Sequence, residues 1–552
     1  MARLHALWQA ERFIDERGNT TNLNHQWGPM KKLASVVTHR DRDGGGTEDQ
    51  WTTFQYDPMG RPTQVLFPDG SHEDSTYECK DNVSYYCDQI HTWHTRKGAI
   101  KTIQYDARGR EQSHSWSDGT PGITSTWDPA NRRLSLTNVF SIIDYQYDDA
   151  SQPLYEGNRI TGAGDRLQTT FYRYGNGGLA NLVYPAGPWV RHDYSARGQL
   201  KTAGVADGAG NWAFQLINYY YHPDGKVEHQ DYGNGVRHDM QYDGRGFTSY
   251  THSYKTGNYQ SYADRTYYRD ERDRIWSFQK GWDASANPKE NGRGDRFFYD
   301  DEGQLTNAYY ECADPTGNFN SWRDGDYYVY DALGNRAGGS WVASLGSVNW
   351  SRRDNGLNQY TRWTPSAINY EGNGVLTQEG WINSDYNALN QPIWMWTGNL
   401  SSPMYFGYDP LGRCVKRWFN DFSAPPTYLY YEGWNLIQEG INVWSPTRLY
   451  VQGNRVDELA VTFNVVTSQY GFHQYDARGH CILTTDISGN MMEEYDYDAF
   501  GKPHFYSGTS WWQWDLGYSE FGNRFLFTGR EWLGDLGEMW QPIAGGRPTR
   551  QS

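Results

Sequence analysis

A short unit, Tyr-Asp-x-x-Gly, recurs along this chain and constrains its fold more than any other feature. Because an internal repeat determines the architecture before any local pattern does, the chain is expected to be an array of similar supersecondary units. The intact copies carry their tyrosine, aspartate and glycine at Tyr56, Asp57, Gly60; Tyr105, Asp106, Gly109; Tyr299, Asp300, Gly303; Tyr330, Asp331, Gly334; Tyr408, Asp409, Gly412; Tyr475, Asp476, Gly479; and Tyr497, Asp498, Gly501. Degenerate copies begin at Trp127, Tyr147, Tyr194, Tyr221, Tyr242 and Tyr386.

The unit predicts a strand, a tight turn and a second strand. Tyrosine favours strands, and the aspartate that follows it can accept hydrogen bonds from backbone N–H groups two residues on. Glycine then supplies a positive φ without a Cβ clash. An extended run such as Arg61–Phe67 starts directly after the glycine, so each unit is interpreted as a hairpin.

Composition favours a large, turn-rich β protein with few aliphatic core layers. Aromatic residues make up 16% of the 552 residues, whereas all hydrophobic residues together reach only 37%. One long curved sheet with water on both faces would account for this, because cross-strand aromatic pairs would stabilise it in place of a thick aliphatic core. The alternative from the same pattern is a β-propeller or β-sandwich with aromatic strands.

The charge and hydropathy patterns exclude some classes of partner. The net charge is −16 and no basic stripe is present, so binding of nucleic acid through phosphate contacts is not expected. No apolar run is long enough to predict a transmembrane helix. The first residues lack the apolar core of a signal peptide, and the repeat pattern is already present near Phe13, so we expect the chain to start inside a longer array.

The repeated units resemble those of the Rhs/YD-repeat family, and the resemblance runs from about Phe13 to about Gly537. A second signature, Gly522–Trp532, looks like the opening of the Rhs-associated core segment of that family. The resemblance implies an all-β fold in which a long antiparallel ribbon of YD repeats spirals into a hollow shell. In polymorphic toxins and insecticidal toxin complexes such a shell encloses a toxic domain, and in teneurins it is part of an adhesion receptor.

The C-terminal end departs from the family pattern. The Gly-Leu-Tyr stretch that usually follows the Gly-Arg-Glu of Gly529–Glu531 is missing, and so is the Asp-Pro-x-Gly cleavage motif. We therefore expect a YD-repeat shell over residues 1–520 and a truncated or divergent core segment over residues 521–552. A truncated array, a shell with a separate effector chain and a decayed copy all remain open.

Three groups of residues are candidates for functional sites. The turn aspartates could form a carboxylate pair of the kind that glycosidases use, but each already has a structural role in its turn. His91 and His94, with His72, Cys79 and Cys87 nearby, match no strong zinc spacing. Cys79 and Cys87 could form a hairpin disulfide or remain thiols. The sequence accordingly predicts no catalytic residue, no metal site and no cofactor.

Two tryptophan clusters are the candidates for stacking on glycans: Trp394 with Trp396, and Trp511 with Trp512. Cross-strand packing of these rings is the simpler interpretation. The sequence as a whole predicts a non-enzymatic shell or scaffold of a secreted or cell-surface toxin-delivery system, with a cargo polypeptide or a shell-completing protein as its partner. The alternatives are a surface adhesion or carbohydrate-binding protein and, after it, a polysaccharide-active enzyme.

Overall fold

The structure is a computed structural model of the chain. It describes residues 12–14, 20–25, 32–41, 47–77, 89–164, 167–173, 178–281, 292–317, 321–331, 334–343, 346–354, 359–363, 366–398, 400–420, 424–508, 515–534 and 538–540.

The described residues form short strands separated by turns. In chain order they are β1 (Arg12–Ile14), β2 (Thr20–His25), β3 (Leu33–Asp41), β4 (Thr47–Tyr56), β5 (Pro62–Leu66), β6 (His72–Tyr77), β7 (Ile90–His94), β8 (Ile100–Tyr105), β9 (Glu111–Trp116), β10 (Ile123–Trp127), β11 (Arg133–Thr137), β12 (Ser141–Tyr147), β13 (Pro153–Ile160), β14 (Leu167–Arg173), β15 (Leu179–Val183), β16 (Trp189–Tyr194), β17 (Leu200–Ala206), β18 (Trp212–Tyr221), β19 (Val227–Tyr232), β20 (Val236–Tyr242), β21 (Thr248–Lys255), β22 (Gln260–Arg269), β23 (Ile275–Lys280), β24 (Gly294–Tyr299), β25 (Leu305–Cys312), β26 (Asp324–Tyr330), β27 (Arg336–Ala343), β28 (Gly346–Asp354), β29 (Tyr360–Trp363), β30 (Ser366–Tyr370), β31 (Leu376–Glu379), β32 (Ile382–Tyr386), β33 (Pro392–Trp396), β34 (Met404–Tyr408), β35 (Cys414–Phe419), β36 (Thr427–Glu432), β37 (Asn435–Asn442), β38 (Ser445–Gln452), β39 (Leu459–Asn464), β40 (Gln469–Tyr475), β41 (Cys481–Thr485), β42 (Met491–Tyr497), β43 (Pro503–Ser507), β44 (Glu531–Leu533) and β45 (Glu538–Trp540).

Consecutive strands pair in antiparallel fashion, so the chain forms a ribbon of hairpins. Ile103 of β8 lies opposite His114 of β9, for example, and Leu449 of β38 lies opposite Phe463 of β39. The one helical turn within the described ranges is a 3-10 turn at Phe527–Gly529. The predicted all-β antiparallel ribbon is thereby confirmed.

Side chains alternate between the two faces of the ribbon, as the two-residue period of a strand requires. In β20, Val236, His238 and Met240 are buried, whereas Arg237 and Asp239 between them are half-exposed. The chain therefore has one face that packs and one face that meets solvent along much of its length.

The chain divides into two compact units. Unit 1 comprises Met1–Ser125, Phe298–Asn307 and Gly325–Gly398; unit 2 comprises Thr126–Phe297, Ala308–Asp324 and Asn399–Ser552. Within unit 1, the turn at Lys97 contacts a part of the chain nearly 300 residues later, since its N–H donates to Asn373 Oδ1 at 2.8 Å and its Nζ donates to the Tyr386 carbonyl at 2.8 Å.

In unit 2 the part of the ribbon that begins at residue 399 lies along the part formed by residues 126–297. We call them the later pass and the earlier pass. The hydroxyl of Tyr184 donates to the Tyr450 carbonyl at 2.6 Å, and that of Tyr262 donates to the Gly489 carbonyl at 2.6 Å. Asn138 Nδ2 likewise donates to the Tyr408 carbonyl at 2.8 Å. As the donor moves along the chain from Asn138 to Tyr262, its acceptor also moves forward, from Tyr408 to Gly489. The number of residues between donor and acceptor falls from 270 to 227. The two passes therefore run in the same direction.

The overlap of these two passes corrects the expectation of one sheet with water on both faces. It buries a mixed aliphatic and aromatic cluster that includes Leu182, Ile217 and Ala263 of the earlier pass with Ile437 and Leu483 of the later pass. The sequence analysis missed this core because no local pattern shows which distant strands will cover each other. A ribbon that overlaps itself buries one face of each pass, which is where its aliphatic residues collect.

Buried ion pairs also join the two passes in unit 2. Arg413 Nη2 lies 2.9 Å from Glu156 Oε1, and Arg265 Nη2 lies 3.3 Å from Glu494 Oε1. These side chains are nearly inaccessible to solvent. Because removal of one partner from a buried pair leaves the other charge uncompensated, such pairs specify how the passes align.

Candidate functional site: repeat turns, polar face and C-terminal segment

The aspartate of each intact repeat closes a hairpin turn through both its backbone and its carboxylate. In the first unit, the Gly60 N–H donates to the Asp57 carbonyl at 2.8 Å, and the Asp57 N–H donates to the Arg61 carbonyl at 3.0 Å. Asp57 Oδ1 accepts from the N–H groups of Met59 and Arg61, both at 2.9 Å. Gly60 has a φ of 80°, a conformation that a side chain disfavours. The same arrangement recurs at Asp106, Asp409, Asp476 and Asp498.

The tyrosine hydroxyl of a unit ties that unit to the one before it. Tyr105 donates to the Ile90 carbonyl at 2.8 Å, Tyr330 to the Leu305 carbonyl at 2.6 Å, and Tyr475 to the Leu459 carbonyl at 2.9 Å. Each acceptor is near the start of the preceding strand. This explains why tyrosine, and not phenylalanine, occupies the position in the repeat.

An arginine directly after the glycine position completes many turns, and sequence reasoning missed it. Its Nε donates to the second oxygen of the turn aspartate at 2.6–2.7 Å in five units, at Arg61, Arg110, Arg132, Arg274 and Arg413. The signal was visible as a recurrent arginine at the sixth position of the unit. With both oxygens engaged, the aspartate acts as a structural anchor of its turn.

The protonation behaviour of the turn aspartates agrees with that role. The side-chain hydrogen bond from Arg110, together with backbone N–H donors, lowers the pKa of Asp106 to about 2. Burial alone would raise the pKa of Asp476, but the Arg478 guanidinium, His480 and the backbone donors lower it to about 2. A general acid needs a raised pKa, so these carboxylates are poorly suited to proton donation near neutral pH.

One face of β5 to β9 in unit 1 is lined by polar side chains that bond to each other across strands; we call it the polar face. Gln64 Nε2 donates to Asp74 Oδ1 at 2.8 Å, and Ser113 Oγ donates to Gln104 Oε1 at 3.0 Å. The hydroxyls of Thr76 and Thr92 lie 2.6 Å apart on the same face. The opposite face carries Ile103 and Trp116, which are buried.

Unit 2 continues the same alternation with more aromatic and charged groups on its exposed face. Arg237 binds Asp231 through two hydrogen bonds of 2.6 and 2.8 Å. The Tyr220 ring stacks on His229 with centroids 4.2 Å apart. Cross-strand hydrogen bonds and ring stacking therefore link polar and aromatic side chains on this face of unit 2.

The residues that resemble a core segment, together with their neighbours from 515 to 534, form what we call the C-terminal segment. It packs on the later pass of unit 2 through a buried charge cluster. Glu531 accepts from Arg417 at 2.6 and 2.7 Å and from Arg524 at 2.8 Å, and Arg524 also binds Glu439. Burial alone would raise the pKa of Glu531, but these two guanidinium groups lower it to about 2.

The backbone of the C-terminal segment is also bonded to the ribbon. The Cys481 N–H donates to the Leu526 carbonyl at 3.0 Å, and the Thr528 N–H donates to His480 Nδ1 at 2.9 Å. Thr528 has a φ of 51° and Gly529 has a φ of 72°, so two successive residues adopt the left-handed conformation. The segment is therefore held in one defined conformation on the later pass.

Trp394 and Trp396 lie on the same face of β33, opposite Asp385 and Asn383 of β32. Both rings are half-buried, whereas Met395 between them is buried on the other face. Glycan stacking at these rings stays a prediction. Trp511 and Trp512 lie outside the described residues.

Two of the other sequence candidates, His72 and His94, lie beside the same aspartate, Asp74. His72 pairs with Asp74 at 3.2 Å, and His94 lies opposite Asp74 in the neighbouring strand. Among the described residues no group of three or more His, Cys, Asp or Glu side chains is arranged to hold a metal ion. Cys79 and Cys87 lie outside the described residues, while Cys312, Cys414 and Cys481 are buried thiols.

None of the described residues belongs to a helix that is both long and apolar enough to cross a membrane.

Comparison with known proteins places this ribbon among much longer chains. No protein-family model matches it. The chain is 22% identical over 509 residues to double-stranded DNA deaminase toxin A of Burkholderia cenocepacia, an alignment that covers 82% of this chain and 30% of that protein. It is 27% identical over 179 residues to the tRNA3(Ser)-specific nuclease WapA of Bacillus spizizenii, which covers 32% of this chain and 7% of that protein.

Solved structures match nearly the whole chain. The crystal structure of TcdB2–TccC3 aligns with a TM-score of 0.67 at 13% identity, covering 98% of this chain and 32% of that one. The Photorhabdus luminescens Tc holotoxin pore aligns with a TM-score of 0.67 at 14% identity over the same share. The chain thus spans less than a third of the length of each of these relatives.

Proposed function

We propose, on the premise that this chain has the ribbon fold of the Rhs/YD-repeat proteins, that it is a non-enzymatic wall of a bacterial toxin-delivery system. In this role it contacts and shields a polypeptide cargo, and it acts at the cell surface or after secretion. The names of its sequence relatives, nucleases and a DNA deaminase toxin, support a toxin context.

The observation that carries this proposal is the polar face. Its side chains already satisfy each other through cross-strand hydrogen bonds, such as Gln64 with Asp74 and Thr76 with Thr92. A polypeptide beside such a face meets hydrated, mutually bonded groups and gains little from packing against them. The face can therefore hold a cargo in an unfolded or loosely packed state.

The net charge supports a basic cargo. The chain carries −16, and an effector that acts on nucleic acid needs positive charge to contact phosphates. Attraction between an acidic wall and a basic cargo is long-ranged at low salt and is screened as the ionic strength rises. The proposal thus predicts a salt-dependent interaction that is weak for any single contact.

Binding of an unfolded basic polypeptide tests the proposal. Fluorescently labelled ribonuclease A, reduced and alkylated so that it stays unfolded, should bind at 50 mM salt and be released at 500 mM salt in an anisotropy titration. Native ribonuclease A and unfolded α-lactalbumin, an acidic protein, are the controls and should bind much more weakly. Equal binding of all three, or of none, contradicts the proposed role.

A second candidate function, binding of carbohydrate at a surface, has one specific observation in its favour. Trp394 and Trp396 lie side by side with Asp385 and Asn383 opposite, which combines ring faces with hydrogen-bonding groups. Glycan-array binding that is lost in Trp394→Ala would support it. Trp381→Ala, which removes a ring that is 82% exposed and lies at a hairpin tip, is the matched control and should leave binding unchanged.

A further inference from the structure

Unit 2 contains an open cavity of about 360 Å³ between its two passes. One wall comes from the earlier pass, at β15 to β18, and the other comes from the later pass, at β36 to β38. The cavity is large enough for a bulky side chain together with part of the backbone that carries it. Its volume falls at the small end of the range of ligand pockets.

Part of the cavity wall is apolar and lies at the margin of the buried core. Leu182, Leu200 and Ile437 line it and belong to the core cluster. Leu179 and Tyr194 also line it, but they are only partly buried and pack against that cluster from outside. The core therefore presents an apolar surface to the cavity, and covering that surface with an apolar group is favourable.

The rim of the cavity is built from amides and one carboxylate. Asn435 and Asn454 line the cavity, and their side chains are exposed, whereas the Gln199 amide that also lines it donates to the Gly225 carbonyl at 3.0 Å. An amide side chain offers both donors and an acceptor, which match the C=O and N–H groups of a peptide backbone. Glu432 lies at the same rim, where Asn435 Nδ2 donates to its Oε2 at 3.0 Å. This combination favours an extended peptide with a nearby positive charge.

We propose that this cavity is an anchor site for cargo: it takes one large apolar side chain of an extended segment, with a lysine or arginine of that segment next to Glu432. The inference rests on the proposed function, because the cargo is the source of the segment. It adds a specific contact to a wall that otherwise binds weakly. A few such anchors hold a cargo in place without folding it.

Short peptides test the anchor site. A fluorescent nonapeptide of alanine and serine with one central phenylalanine and a flanking lysine should bind the full chain at least about tenfold more tightly than the same peptide with alanine for phenylalanine, since burying that ring stabilises the complex. Leu179→Trp, which fills the cavity, should abolish this difference. Leu154→Trp places the same bulk at a side chain that is 43% exposed and outside the cavity, and it should preserve the difference.

A substitution at Glu432 tests the contribution of the negative charge beside the cavity. Glu432→Gln should weaken binding of the lysine peptide severalfold and leave a peptide without lysine unaffected. Glu228→Gln, which neutralises an exposed glutamate that does not line the cavity, is the matched control. Loss of lysine preference in both variants would show a general charge effect and overturn the role of Glu432.

A photo-crosslinking residue at Asn454 keeps the proposal testable if Leu179→Trp does not fold. It should capture the phenylalanine peptide, whereas the same residue at Val466, which is 74% exposed and away from the cavity, should not.

If unfolded ribonuclease A binds but these peptides show no preference and no capture, the anchor site is wrong and the wall function stands. If unfolded ribonuclease A does not bind either, both fail. Capture of a saccharide in preference to the peptide also overturns the anchor site.

Discussion

At the scale of single residues, the repeat unit combines two kinds of bond with different reach. The aspartate bonds within its own turn, as Asp57 does with Met59 and Arg61. The tyrosine bonds outward, as Tyr475 does with Leu459 of the preceding strand. Each unit is therefore closed by its aspartate and joined to its neighbour by its tyrosine.

Replacing one buried tyrosine isolates the outward bond. The Tyr475 hydroxyl donates to the Leu459 carbonyl at 2.9 Å and accepts from the Leu459 N–H at 3.0 Å. Tyr475→Phe keeps the ring but leaves two buried backbone groups unsatisfied, so we expect a loss of about 1–3 kcal/mol in the free energy of unfolding. Urea denaturation measures it. Tyr259→Phe, at a ring that is 78% exposed, is the control, and equal shifts in the two variants would contradict the explanation.

Acid should remove the contribution of the buried turn carboxylate. The pKa of Asp476 in the folded chain is about 2, below its ordinary value of about 3.9 in an unfolded chain. A depressed pKa means that the stabilisation is complete above about pH 4, declines as the pH falls toward 2, and amounts to about 2 kcal/mol. The urea midpoints of the native chain and of Asp476→Asn should therefore differ at pH 6 and converge toward pH 2. A difference that is constant over this range would refute the shift.

At the scale of elements, the hairpin is the part of the fold that the sequence predicted well. The Tyr-Asp-x-x-Gly pattern located the turns, because a local motif sets a local conformation. The arginine at the sixth position is visible in the sequence, but only the structure shows that its side chain donates to the turn aspartate. The docking of the C-terminal segment depends on Arg417 and Glu439, which lie 114 and 85 residues before their partners, and no spacing rule connects them.

The C-terminal segment depends on one glycine. A Cβ at Gly529 would lie 1.9 Å from the Asp457 carbonyl oxygen, and its φ of 72° already disfavours any side chain. Gly529→Ala should therefore detach the segment, which limited proteolysis would show as early cleavage within residues 515–534. Gly517→Ala has the same kind of backbone, with a φ of 71°, but open space around it. It should cost only about 1 kcal/mol and leave cleavage unchanged; early cleavage in both variants would assign the effect to backbone strain alone.

At the scale of the whole molecule, strands of the two units differ in how far their side chains are buried: no residue of β7 in unit 1 is fully buried, whereas five of the seven residues of β17 in unit 2 are. Unit 2 has a cluster of 20 buried hydrophobic residues, formed where two passes overlap. A buried cluster described in unit 1 comprises Ala99, Trp116 and Ala388, with Trp93 against it. The expectation of a thin, aromatic sheet thus fits described strands such as β7 and β9 better than β17.

This difference should be visible in hydrogen exchange. Local stability follows buried apolar contact, so amides of β7 to β9 should exchange faster than those of β17 to β20 at neutral pH. Mass spectrometry of peptic fragments measures it on the intact chain. Uniform protection across both units would mean that the whole chain opens as one cooperative structure, against this expectation.

The tyrosine link has a consequence for how such chains change in length over generations. Each link reaches back only to the neighbouring hairpin, so a duplicated hairpin arrives with every local partner it needs. Duplication or deletion of one hairpin in the gene then leaves the hydrogen bonds between neighbouring hairpins intact. It matters only where distant residues such as Tyr184 and Tyr450 must still meet, so the number of residues between such partners is the property that selection constrains.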